Sequence, residues 1–257
     1  MLTISCAWVS AVKGQSSAEI PSDSALTAQG KLSSERYNDL RRTAERKMRL
    51  HNDSGTKRFS RQAIRIFSRL IEERPVSDPE IWLLRARAYT KLGLHSESFQ
   101  DAKRYSELVP EDFRGWKSCA DMAVRLRNYP MAGRYYQIAA DTESALHLSF
   151  EHSFDAALYY YLGDAYAESL NLLEHMRLHQ CRLAEIDYYQ GRVLAAIGAN
   201  EQAATLLERA YANRNGGRLI MRALIRDAHT VYKDLGNTAK VEEWAERWEF
   251  YNGKPIE

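Results

Sequence analysis

The stretch Trp82-Leu83-Leu84-Arg85-Ala86-Arg87-Ala88-Tyr89-Thr90-Lys91-Leu92-Gly93 decides the fold. Its landmarks return 34 residues later: Trp116 answers Trp82, Ala120 answers Ala86, Leu126 answers Leu92, Ala132 answers Ser98 and Tyr136 answers Ala102. A fixed period of this length, with a small residue four places after an aromatic one, marks stacked helix–turn–helix units. A plain helical bundle uses helices of similar length but has no need for equal units. No single unit can bury its apolar face alone, so neighbours must stack, and the stack displays a long surface.

The helical period extends in both directions from this segment. Upstream, Tyr37, Leu40, Ala44 and Met48 share one face of a helix, and Ala63, Ile64, Phe67, Leu70 and Ile71 make a second apolar stripe that Pro75 stops. Between the two, His51 to Lys57 (HNDSGTK) reads as a loop. Ser77-Asp78-Pro79-Glu80 reads as a capped helix start. Downstream, three more units are visible around Leu162-Gly163-Asp164, around Gly191 to Ala210, and around Tyr232 to Trp248. About six helix pairs therefore cover residues 34–250. Residues 13–33 hold few large apolar groups and read as a flexible leader, which divides the chain into a leader over 1–33 and a helical-repeat domain over 34–257.

Trp82, Ala86, Tyr89, Gly93, Ser98 and Pro110 together resemble the tetratricopeptide repeat (TPR) in register. The next unit supplies Trp116, Ala120, Ala123, Ala132, Tyr136 and Ala139, and departs at Arg127, where the family favours Gly. The resemblance implies an all-α protein, a right-handed α-solenoid of about six TPR-like helix pairs. It also implies a non-catalytic scaffold or adaptor that takes a protein or peptide partner in a concave groove lined by the first helix of each pair. Carried over in register, the groove residues are Arg42, Arg46, Arg87, Lys91, Lys117, Arg125, Tyr160, Tyr161, Tyr188, Arg192 and Arg226. Guanidinium forks recognise carboxylates, and Tyr gives contact area at low entropy cost, so an acidic or carboxylate-terminated segment suits such a groove. Solvated polar helix faces are the plain alternative.

The charge is unevenly distributed. Residues 31–74 carry 13 Lys/Arg against 6 Asp/Glu, while residues 75–257 carry 22 against 26. Arg58, Arg61, Arg65 and Arg69 recur at three- and four-residue steps, and Arg42, Arg46 and Arg49 do the same on the preceding helix. These stripes give the alternative function, a nucleic-acid or anionic-surface binder. No RNA-binding motif accompanies them, which makes nucleic acid the less expected partner and a solvated or protein-docking face the plain reading.

Chemistry is sparse. GxxxxGK[ST], GxGxxG after a strand, HExxH and GxSxG are all missing, so no enzyme activity and no cofactor are expected. His175 and His179 are four apart with Cys181 nearby, but lack a third well-placed ligand, so no metal is expected either. The three cysteines do not make a disulfide framework; Cys119 falls on an inner helix face, and a Cys119–Cys181 bridge has no support. No run of apolar residues is long enough to span a bilayer. Met1 to Val12 is apolar and uncharged, and is followed by Lys13. It has the small residues of a signal-peptide cleavage site without a positive n-region, which leaves export (periplasmic or secreted) and a cytoplasmic location both open.

Overall fold

In the structure, a computed structural model that describes residues 32–74, 76–178, 182–213 and 221–256, the apolar stripes fold into twelve α-helices and no strand among the described residues. They form six antiparallel pairs: α1 (Ser34–Ser54) with α2 (Lys57–Glu73), α3 (Glu80–Leu92) with α4 (His95–Leu108), and α5 (Phe113–Arg125) with α6 (Tyr129–Thr142). The last three are α7 (Leu146–Leu162) with α8 (Tyr166–Arg177), α9 (Leu183–Ala196) with α10 (Asn200–Ala212), and α11 (Met221–Asp234) with α12 (Thr238–Asn252). Consecutive helices pack on each other all along the chain, as an α-solenoid requires.

One turn recurs between the two helices of each pair. A residue in the left-handed region ends the first helix in all six: Gly55, Gly93, Arg127, Asp164, Gly198 and Gly236. In five of them the amide of that residue bonds the carbonyl three places back, and the next amide bonds the carbonyl five places back. Gly93 and Leu94 do so to Thr90 and Tyr89, and Arg127 and Asn128 to Val124 and Ala123. This double bond satisfies carbonyls that the helix end leaves unpaired. The usual glycine is absent at Arg127, yet the turn is the same, with φ at 58°. In the four middle pairs small residues twelve apart, one on each helix, let the pair close: Ala86 with Ser98, Ala120 with Ala132, Ala157 with Ser169 and Gly191 with Ala203. Ser98 and Ser169, both fully buried, donate their hydroxyls to the carbonyls of Ala86 and Ala157 at 2.9 and 2.8 Å.

The turns fix the register, and they correct several expectations. His51 to Ser54 is not a loop: α1 continues through it, and only Gly55 and Thr56 separate α1 from α2. Taking Gly55 as the equivalent of Gly93 moves the first pair's register by seven residues. Arg49 then stands where Arg42 was expected, Arg42 moves two turns earlier in the groove series, and Arg46 falls off it. In the fourth pair Asp164, rather than Gly163, takes the left-handed conformation, so that register moves by one. Asp78 does not cap α3. Its carboxylate instead accepts from Tyr37 at 3.2 Å and Arg41 at 2.8 Å, tying the first pair to the second. A second tie is buried: Arg85 holds Asp101 with two hydrogen bonds of 2.7 and 2.8 Å and reaches Ser68 of α2 at 2.9 Å.

Trp82 and Trp116 are half-buried, not core residues. The indole N–H of Trp116 donates to the Pro110 carbonyl at 2.8 Å, which couples two landmarks of the repeat. Cys119 is a buried free thiol, pushed up to about 12 by burial; Cys181 and His179 lie outside the described residues.

Candidate functional site

The first helices of the second and third pairs, α3 and α5, form the walls of a groove of about 900 Å³. On α3, Leu83, Arg87, Thr90 and Lys91 share one face because they are spaced by a helical turn. On α5 the corresponding positions bring Arg114, Lys117, Asp121 and Arg125. Asn52, from the end of α1, closes one side. Tyr136 of α6 and Tyr159 of α7, whose rings stack with centroids 5.4 Å apart, form the floor together with Phe113.

The cations of this groove are held in different states. Lys117 is paired with Asp121 at 2.9 Å, and Asp121 also accepts from Tyr136 at 2.5 Å. Burial, with Asp121 beside it, pushes the Tyr136 hydroxyl far above its ordinary range, so it stays a donor at any physiological pH. Arg114 is committed to Asp112 at 2.6 Å and Glu80 at 3.2 Å. Burial works against ionisation of Asp112, yet hydrogen bonds from Arg114 and Tyr105 hold its carboxyl down to about 2. Lys91 bonds the neutral amide of Asn52. Arg87 and Arg125 are exposed, and neither makes an ion pair among the described residues.

Under the floor lies His152, 5% exposed, its ring 5.6 Å from that of Phe113 and 6.4 Å from that of Tyr136. Neither ring nitrogen has a hydrogen-bond partner. Burial pushes its pKa down, Lys117 adds to this, and Glu143, Asp121 and Glu151 oppose it. One helical turn on, burial, reinforced by Glu151 and Asp121, raises Asp155 to about 6 against the opposing Lys117 and Arg182.

Of the eleven groove residues expected from the sequence, the structure brings four together here: Arg87, Lys91, Lys117 and Arg125. Four others meet further along. The Arg192 guanidinium lies 4.8 Å from the ring centroid of Tyr161 and 5.6 Å from that of Tyr188. It pairs with Asp227 at 3.2 Å, and Arg226 approaches the same carboxylate at 3.6 Å. Tyr188 is 2% exposed and donates to Asp227 at 2.9 Å, so it packs the interior and does not stand on the surface. Tyr160 is likewise a seam residue, 8% exposed and bonded to Gln137 at 2.9 Å. It lies against Gly133, where a Cβ would come within 2.8 Å of the ring. Arg42 and Arg46 are exposed on α1 and line neither cluster.

Sequence reasoning missed Asn52, Arg114 and the aromatic floor. Arg114 could have been found by carrying over the second position of the repeat, and Asn52 only once Gly55 had set the first register. Among the described residues, no three His, Cys, Asp or Glu side chains are grouped to hold a metal, and no helix is long and apolar enough to cross a membrane.

No protein-family model matches the chain, and no curated protein does. Solved structures do. YrrB, described as a TPR protein with an unusual peptide-binding site, matches at a TM-score of 0.53 and 14% identity, over 73% of this chain and 93% of its own. This chain has the tetratricopeptide-repeat fold. PilW, described as a widely conserved type IV pilus biogenesis factor, matches at 0.52 and 13% identity over 84% of this chain and 94% of its own. MamA AMB-1 matches at 0.53 and 15% over 73% and 96%. At these identities the likeness concerns the TPR fold alone. It accounts for the groove, since stacked TPR units leave their first helices facing a common concavity.

Proposed function

We propose that the chain is a non-catalytic TPR scaffold that holds an acidic or carboxylate-terminated segment of a partner protein in the groove between α3 and α5. One observation carries this reading. Arg87 and Arg125 stand exposed at the groove without a carboxylate among the described residues, while Lys91, between them and α1, bonds only a neutral amide. A charge-assisted hydrogen bond from such a guanidinium is worth roughly 1.5–3 kcal/mol, so two of them supply enough selectivity to distinguish acidic from neutral peptides. The half-buried Tyr159, backed by the buried Tyr136 on which it stacks, and the half-buried Phe113 give the rest of a bound peptide an apolar surface to cover. The fold supports the same class of function, because TPR stacks display surfaces, and the fold neighbour YrrB is described as having a peptide-binding site.

The test uses the full chain and a fluorescent oligoglutamate peptide with a free C-terminus, with oligolysine as control, read by anisotropy. The acidic peptide binds, the basic one does not, and Arg87→Glu/Arg125→Glu weakens binding about a hundredfold or more. Arg61→Glu/Arg65→Glu, on the opposite side of the first pair, leaves it unchanged. Equal binding of acidic peptide by the groove variant and the unmodified chain defeats the reading.

A further inference from the structure

The second helix of the first pair carries a feature that the groove does not use. Ser60, Ala63, Phe67, Leu70 and Ile71 bury one side of α2, and Arg58, Arg61, Arg65 and Arg69 occupy the opposite side. All four are exposed, and none has an ion-pair partner among the described residues. From Arg58 to Arg69 the row runs about 16 Å along the helix. The only acids of α2, Glu72 and Glu73, stand at its last two positions. The corrected register places Arg42 and Arg49 in the groove series, so they do not extend this row.

We propose that this arginine face of α2 docks the molecule on an anionic lipid surface. A row of four guanidinium groups on the outside of a helix meets a plane of phosphates along its whole length, and each basic residue brought to an anionic bilayer raises partitioning about fivefold. A second copy of the chain is a poorer occupant, because exposed ion pairs between two proteins contribute little against the entropy of association. A polynucleotide offers the same phosphates, but the row has no aromatic ring within it on which bases stack. The sequence adds a preference for lipid. Residues 1–12 (MLTISCAWVSAV) are apolar, uncharged and contain Trp8, and they precede α1 by about twenty residues. Firm membrane attachment takes two weak signals, an apolar insertion and a basic patch; a polynucleotide gains nothing from the first.

The full chain is mixed with neutral phosphatidylcholine vesicles and with vesicles doped with phosphatidylglycerol, and the bound fraction is measured by sedimentation. Binding to doped vesicles exceeds binding to neutral ones by at least about tenfold and falls as salt is raised. Arg61→Glu/Arg65→Glu abolishes the preference with unchanged circular dichroism, since both side chains are exposed. Trp8→Glu lowers binding to both vesicle types. Equal binding to neutral and doped vesicles, or full binding by the double reversal, overturns the proposal. So does tighter binding to oligothymidylate than to doped vesicles, which gives the face to nucleic acid instead. The groove variant Arg87→Glu/Arg125→Glu binds vesicles normally, so the two readings fail separately.

Discussion

Arg87 and Arg192 stand at the same place in their repeats and are in opposite states. Arg87, on α3, is exposed and unpaired among the described residues. Arg192, on α9, is clamped between the rings of Tyr161 and Tyr188 and neutralised by Asp227. The repeat register says which way each side chain points and nothing about whether its charge is available. That is decided one pair further on: α11 places Asp227 opposite Arg192, whereas α5 places Asp121 opposite Arg87 but spends it on Lys117 and Tyr136. The second and third pairs therefore leave exposed guanidinium groups at their groove, and the fifth and sixth pair theirs in a closed contact.

The comparison is broken or kept by one pair of substitutions. Arg192→Ala removes an ion pair to a mostly buried carboxylate and two cation–π contacts, and should cost about 2 kcal/mol of stability in chemical denaturation. Arg87→Ala removes nothing that the folded chain uses and should change stability by less than about 0.5 kcal/mol. Acidic-peptide affinity should respond in the opposite sense, falling with Arg87→Ala and not with Arg192→Ala. Equal stability losses for the two would mean that Arg87 has a partner in solution and that the two sites are alike.

Most of the fold was legible because packing imposes it. Small residues such as Ala86, Ala120 and Ala132 let paired helices close, and these three are fully buried. Equal spacing survives between Gly93 and Arg127 and again between Asp164 and Gly198, 34 residues in each case. Elsewhere extra residues enter the links between pairs, where nothing packs tightly enough to forbid them, and the register drifts. That drift displaced Arg42 and Arg46 and shifted the fourth pair by one. The site was legible only in direction. Arg87, Lys91, Lys117 and Arg125 were found because side-chain direction follows backbone periodicity. The burial of Tyr160 and Tyr188 was not, because it depends on Gly133 and Asp227, neither of them near in sequence.

The floor of the groove offers a smaller, pH-dependent contrast. Asp155 has its folded-state pKa raised, so its contribution to stability is present at low pH and is lost as pH rises through about 6. His152, beside it, has its pKa lowered, so its contribution is present above its ordinary range near 6.5 and is lost as pH falls. The two partly cancel in the native chain. Asp155→Asn removes one side of the balance. At pH 8 the variant should be more stable by about 1 kcal/mol, after discounting for solvent screening of a partly exposed carboxylate, and the advantage should shrink as pH falls below about 6 and vanish below about pH 4. Denaturant midpoints across that range measure it. An advantage that grows on acidification would assign the buried charge to another group.

The smallest expected effect concerns the turns. Gly93 and Arg127 make the same two hydrogen bonds with φ at 79° and 58°. A side chain in this region costs about 1–2 kcal/mol in the folded state, and a glycine costs roughly 0.5–1 kcal/mol through the freedom of the unfolded chain. Arg127→Gly should therefore stabilise the third pair by about 0.5 kcal/mol. Gly93→Ala, which meets no atom within 4 Å, should lose a comparable amount through backbone strain alone. If Arg127→Gly instead destabilises the chain, the guanidinium holds an interaction in solution that outweighs its strained backbone. The departure from glycine would then be explained by what the Arg127 side chain holds within the chain, and Arg127 would belong with the paired Arg192 and not with the unpaired Arg87.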